Sequence, residues 1–237
     1  MRISLILVAS LSLVNGFVLQ SSSLYPQTIN GLSSKTRFAA STSEEEIALP
    51  TLDQLKSDSF IDQVGYASQY VPLLSQEDID VADMIEAQLS HSDGIRGFFV
   101  SYLTGDSPSP ADEEVIPAPL KAALESQKSS SDLISLTCMN VIMPTGMITM
   151  HTDEELSNNS KMTSKRGIIV AKALLAMNKE SGNVEMLKQC QAILKVAKGE
   201  VDSEDEDVKY WIEFFSKWGY GDKEKENIAK AMEDLMQ

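Results

Sequence analysis

Residues 132–156 read DLISLTCMNVIMPTGMITMHTDEEL, the most apolar stretch beyond the N-terminal segment. Its apolar residues fall on every side of a 3.6-residue period instead of along one stripe. A helix of that kind has no face to give to solvent, so it belongs at the centre of a fold. Pro144 removes one helical donor and Gly146 loosens the next turn, which predicts a kink near residues 140–144. The expected architecture is all-α, an irregular helical bundle of about seven helices with this apolar helix, 132–156, in the middle.

The flanks carry the same period. Upstream, Leu55, Phe60, Val64, Ala67, Tyr70 and Val71 are spaced as on a helix that ends at Pro72. Ser75-Gln76-Glu77-Asp78 has the form of a capping box opening a helix with Val81, Ala82, Ile85 and Leu89 on one side. Asp93-Gly94 is expected to break or kink the chain, after which Ile95, Phe98, Phe99, Tyr102 and Leu103 form an apolar stripe. Residues 104–119, TGDSPSPADEEVIPAP, hold four of the eight prolines and several acids, the composition of a linker or long loop. It divides the domain into an N-terminal helical subdomain, 44–103, and a C-terminal one, 120–237. A short helix over 120–127 starts the second. Further on, residues 161–177 are amphipathic, with Met162, Ile169, Val170, Ala173, Leu174 and Met177 inward. Gly182-Asn183 is a turn, and Val184, Leu187, Leu194 and Ala197 belong to the next helix. Tyr210, Trp211, Phe214, Phe215 and Trp218 mark another, stopped by Gly219. Asp222 is expected to cap the last helix, whose face is Ile228, Met232, Leu235 and Met236.

Charge is distributed unevenly along the 237 residues. Residues 1–43 carry Arg2, Lys35 and Arg37 and no acid, a charge of +3. The remainder has 17 basic against 35 acidic residues, net −18. An acidic domain lacks the basic face that nucleic acid needs, and it is repelled by anionic membrane. Cys138 and Cys190 both sit in periodic apolar segments, as buried free thiols do, and a secreted domain of this size would more often carry several cysteines.

The N-terminal segment begins with Arg2 and an apolar run from Ile3 to Val14, broken only by serines. That is the length of a signal-peptide core and too short to span a bilayer. Asn15 and Gly16 follow, giving residues 1–16 as a signal peptide. Residues 17–43, FVLQSSSLYPQTINGLSSKTRFAASTS, are rich in Ser and Thr, carry two basic residues and have no acid, as transit peptides do. Together these 43 residues resemble the bipartite plastid presequence of algae with secondary red plastids, such as diatoms. Of that family's Ala-Ser-Ala-Phe-Ala-Pro motif the chain carries the phenylalanine, Phe17, between Val14-Asn15-Gly16 and Val18-Leu19. The resemblance implies that Phe17, exposed after signal cleavage, licenses plastid entry. The stroma is the expected destination, because no second long apolar run follows residue 43 to direct the chain further; secretion or an endomembrane site is the alternative. No transmembrane segment is expected in residues 44–237.

Motifs for catalysis are sparse. His91 and His151 are the only histidines, and neither stands in the Glu-x-x-His spacing of a di-iron bundle nor in a paired spacing with Cys138 and Cys190. His151 and Glu155 lie one turn apart but are accounted for by a polar helix end. Counting from Asp202, Glu213 falls at position 12 of a calcium loop, yet position 6 is Asp207 where the loop requires Gly. No metal and no cofactor is expected. No phosphate-binding glycine loop, nucleophile elbow or kinase signature occurs.

Two groups of side chains are candidates for binding. Met139, Met143, Met147 and Met150 are adaptable enough to line an apolar ligand pocket, though core packing also accounts for them. Trp211 and Trp218 share a helix face with Phe214 and Phe215 between them, more aromatic area than one neighbouring helix covers. Trp218 and Phe215 are therefore candidates for a partner interface. The leading expectation is a non-catalytic soluble stromal protein that binds a protein partner, with the photosynthetic apparatus as one candidate. The alternatives are a carrier or sensor of a pigment or lipid among the methionines, and an all-α enzyme using dispersed carboxylates.

Overall fold

A computed structural model describes residues 49–75 and 81–237. Phe17, the rest of the presequence and Gln76-Glu77-Asp78 of the expected capping box lie outside the described residues. The fold is all-α. Among the described residues ten α-helices run in order: α1 Leu52–Ser57, α2 Phe60–Tyr70, α3 Ala82–Gln88, α4 Ser92–Thr104, α5 Ala118–Gln127, α6 Ser131–Met150, α7 Glu154–Glu180, α8 Glu185–Ala197, α9 Glu206–Trp218 and α10 Asp222–Met236. Two 3₁₀ turns, Val71–Ser75 and Pro110–Asp112, complete the described elements. One of the helices beyond the expected seven arises because residues 52–74 divide. Asp58 and Ser59 are extended and separate α1 from α2.

The apolar helix is α6. It starts where Ser130 accepts a hydrogen bond from the Leu133 N–H, and it ends at Met150, six residues before the predicted end. Its stop is fixed by the helix that follows. Asp153 turns extended and its carboxylate accepts from the Leu156 N–H, so it caps α7, with Glu154 and Glu155 in the first turn. The polar run 151–155 is thus the connection and the first residues of α7, which begins seven residues before the 161 read from periodicity. The three-residue connection folds α6 and α7 back on each other as an antiparallel pair. α4 and α10 each rest on both members, α8 packs on α6, and α9 packs on α8. Buried residues from either side of 104–119 join one hydrophobic cluster.

Pro144 lies inside α6 without ending it. Having no N–H, it leaves the Asn140 carbonyl without its helical donor. The α7 backbone closes on that carbonyl at Gly167, where a Cβ would lie 2.6 Å from the Asn140 oxygen. One turn on, the Thr145 hydroxyl meets the Ser164 hydroxyl at 2.7 Å, both buried. Small and hydroxyl side chains therefore bring α7 against the turn that proline disturbs. Cys138 on α6 and Cys190 on α8 are free, buried thiols in hydrogen-bonding contact. That contact and burial push the Cys138 thiol up, which keeps it protonated.

Two glycines set the N-terminal helices. At Gly97 a Cβ would sit 2.5 Å from Gln63 Cβ, so α2 and α4 cross at touching distance. At Gly94 it would sit 1.9 Å from the Gln88 carbonyl oxygen. The turn between α3 and α4 accordingly falls at residues 89–91, and Asp93-Gly94 stands inside the first turn of α4 instead of breaking it. His91 caps α4: its Nδ1 accepts from the Gly94 N–H at 3.3 Å, so its Nε2 donates to the Leu55 carbonyl at 2.9 Å. Gln63 and Gln88, both fully buried, tie the same helices. The Gln63 amide donates to the carbonyls of Gln54, Leu55 and Asp58, and Gln88 donates to the Gln63 carbonyl while accepting from the Tyr70 hydroxyl.

Candidate functional site

The close α2–α4 crossing opens into a groove of about 510 Å³. Val64 and Ser68 of α2 form one wall and Val100, Ser101 and Thr104 of α4 the floor. Val71, Pro72 and Ser75 of the first 3₁₀ turn close one end, and residues 105–113 the other. Prolines 72, 108 and 110 contribute three stretches of wall without a backbone N–H. The hydroxyl protons are turned inward: Ser68 donates to the Gly65 carbonyl, Ser101 to Val64 and Thr104 to Val100. These side chains present lone pairs to the groove. Asp106 and Glu113 add two exposed carboxylates at the rim. The groove is apolar, with acceptors and negative charge around it.

One buried cation holds the loop wall. Arg166 on α7 is 1% exposed and reaches four acceptors, one on the last turn of α4 and three on the loop that follows. Its Nε donates to Asp112 Oδ1 at 2.8 Å, and a terminal nitrogen lies 2.6 Å from the same oxygen. The same terminal nitrogen donates to the Ser107 hydroxyl at 3.0 Å, and the other terminal nitrogen donates to the carbonyls of Leu103 at 3.0 Å and Gly105 at 2.7 Å. Planar guanidinium with five donors is the side chain that can do this; a lysine has one nitrogen to share. Burial pushes the Asp112 carboxyl up, but hydrogen bonds from Arg166, Ser107 and the Ser109 N–H, with the Arg166 charge, outweigh it and hold it below the ordinary carboxylate range. Tyr102, 1% exposed beneath the loop, donates weakly to the Pro110 carbonyl at 3.5 Å; burial pushes its phenol up and the Arg166 charge counters it.

The residues singled out from sequence lie elsewhere. Met143 is in the core, Met139 and Met147 are half-buried, and Met150 is 42% exposed at the end of α6. None of the four lines the groove. Phe215 is buried edge-to-face against Tyr220, ring centres 5.2 Å apart. Trp218 is half-buried beside Phe214, and its Nε1 is buried without an acceptor. Trp211 is fully buried and donates to Gln189 at 2.8 Å. Among the described residues no group of three or more His, Cys, Asp or Glu side chains could share a metal ion. α6 is long and apolar enough to cross a membrane by length and composition, with 56% of its most apolar window buried in the protein. Periodicity alone missed Arg166. Its signal was an arginine at an inward position of the α7 stripe, between Thr163 and Val170.

Residues 59–235 match a family described as uncharacterised conserved protein UCP020893. The chain belongs to that family. The family match runs from the start of α2 almost to the end of α10, so both Arg166 and every groove-lining residue fall within it. No curated protein and no solved structure matches the chain.

Proposed function

We propose that this protein is a non-catalytic binding protein of the plastid stroma, and that its groove receives a short apolar segment of a partner bearing an arginine or lysine. The observation that carries the proposal is the pair of exposed carboxylates, Asp106 and Glu113, at the rim of an apolar groove. Apolar side chains of a partner would displace water from Val64, Pro72 and Pro108, and a cationic head would find Asp106 and Glu113. The rim carboxylates are exposed, so they would set on-rate and charge selection more than affinity. The pinned loop wall is ordered before binding, which lowers the entropic cost of association.

The test is fluorescence anisotropy of labelled peptides carrying leucine on either side of one arginine, with a glutamate counterpart. The arginine peptide is expected to bind. Asp106→Asn with Glu113→Gln should slow association and weaken binding about threefold, and Ser68→Trp, which fills the groove from an exposed wall position, should abolish it. Equal binding of the glutamate peptide, or unchanged binding by Ser68→Trp, would refute the groove as the site. The address is tested separately with a reporter fused after residue 50. Plastid entry is expected for the native presequence and its loss for Phe17→Ala; equal entry of the two, or secretion of the native fusion, would remove the stromal assignment.

A further inference from the structure

A second surface, on α7, carries positive charge in a chain of net charge −15. Lys161, Lys165, Lys172 and Lys179 are all exposed. Their spacing of four, seven and seven residues puts them within about 40° of one another around the helix, in a line about 27 Å long. Outside α7, Lys128, Lys195, Lys198 and Lys209 have a carboxylate partner and the other described lysines have none, so what sets α7 apart is the alignment of its four. Lys165, Lys172 and Lys179 have none among the described residues, and Lys161 reaches only the Asn158 amide oxygen at 3.1 Å. Between the first and last of these lysines the helix carries no acid. Half-buried Ile168 lies beside the line.

We infer that the lysine line on α7 docks an acidic helix of a partner protein. The ends of the line select the occupant. Glu154 stands on the same face two turns before it, where positive charge gives way to negative, and Glu180, directly after Lys179, lies about 100° round the helix. A polyanion that continues past about 27 Å, such as a nucleic-acid strand or the plane of a lipid bilayer, would run into those carboxylates and a domain of strongly negative charge. A helix of about five turns with carboxylates at matching spacing fits between them. Ile168 then offers an apolar contact to the same helix. This surface is independent of the groove and does not rest on its occupancy.

The experiment uses the full chain and a labelled, alanine-based 18-residue helix with glutamates four and seven residues apart. Binding is expected to weaken steeply as salt rises, because the contacts are exposed ion pairs. Lys165→Gln, Lys172→Gln and Lys179→Gln together should weaken it about tenfold. Lys121→Gln, Lys217→Gln and Lys230→Gln remove the same charge from elsewhere and should change it less than about twofold. Failure of the peptide to bind overturns the inference, as does equal weakening by the two triple variants. Lysine-dependent binding of phosphatidylglycerol vesicles or single-stranded RNA as tight as that of the peptide would replace the partner with a lipid or nucleic acid. If neutralising Glu44, Glu45 and Glu46 tightened peptide binding about tenfold, the chain's own N-terminal acids would be the occupant and the external partner would fall.

Discussion

Arg166→Met keeps most of the side chain's length and removes its charge and all its donors. Four acceptors lose a partner. The Leu103 carbonyl is buried with Arg166 and stays unsatisfied, which costs about 1–3 kcal/mol. The Gly105 carbonyl and Ser107 hydroxyl are part-buried and recover some hydration. Asp112 has a side chain 34% exposed, so water replaces much of what the guanidinium gave; the cost of a broken buried pair, about 3–5 kcal/mol, is therefore an upper bound here. The methionine also avoids the desolvation cost that arginine carries. A net loss of about 2–4 kcal/mol follows, a large share of the 5–15 kcal/mol typical of a domain. Urea denaturation of the full chain reads this as a lower midpoint at unchanged slope. Limited proteolysis should show new cleavage within residues 105–114, and a double-mutant cycle with Asp112→Asn should give a coupling of about 1 kcal/mol or more. A loss below about 1 kcal/mol with no new cleavage would refute the argument that Arg166 holds the groove wall.

Other outcomes follow from the packing. Gly167→Ala should destabilise by about 1–2 kcal/mol despite its better helix propensity, because its Cβ lands on the Asn140 carbonyl, whereas Gly65→Ala on exposed α2 meets nothing and should stabilise by up to about 1 kcal/mol in the same urea assay. Trp211→Ala, a core truncation that also strands Gln189, should cost about 3–5 kcal/mol, and Trp218→Ala about 1–2 kcal/mol. Met143→Asp puts a carboxylate into the core and should prevent cooperative unfolding from being observed, by circular dichroism melting. Asp112 and Glu224 are both held below the ordinary carboxylate range, Glu224 chiefly by the Thr149 hydroxyl. The folded state therefore binds fewer protons than the unfolded chain. The stability these groups give is complete above about pH 5 and is lost as pH falls through about 4 and below, so the urea midpoint should fall over that window.

The apolar helix was legible because burial on all sides erases amphipathic periodicity, and residues 132–150 show that directly. Its end was not. The run His151-Thr152-Asp153-Glu154-Glu155 can close one helix or open the next, and only Asp153's bond to the Leu156 N–H decides for the second. The early turns of α7 were hidden because Ser157, Asn158, Asn159 and Ser160 have loop composition; Ser157 is drawn into the helix by donating to the Ile148 carbonyl across the turn. Gly94 reads as a breaker in isolation, while in the fold it makes room for the Gln88 carbonyl. The groove was invisible for a related reason. Its walls come from α2, α4 and a loop fastened to α7, and no short stretch of sequence contains contacts between residues 54 to 63 positions apart.

That separation also sets an order of events during synthesis. Residues 103–112 leave the ribosome well before Arg166, and at about 5–20 residues per second the interval is roughly 3–12 seconds. Until then the loop lacks the donors that fasten it, and the groove has only its α2 and α4 sides. A chain cut short anywhere before α7 would present α2 and α4 with no Arg166 to fasten the loop that follows them.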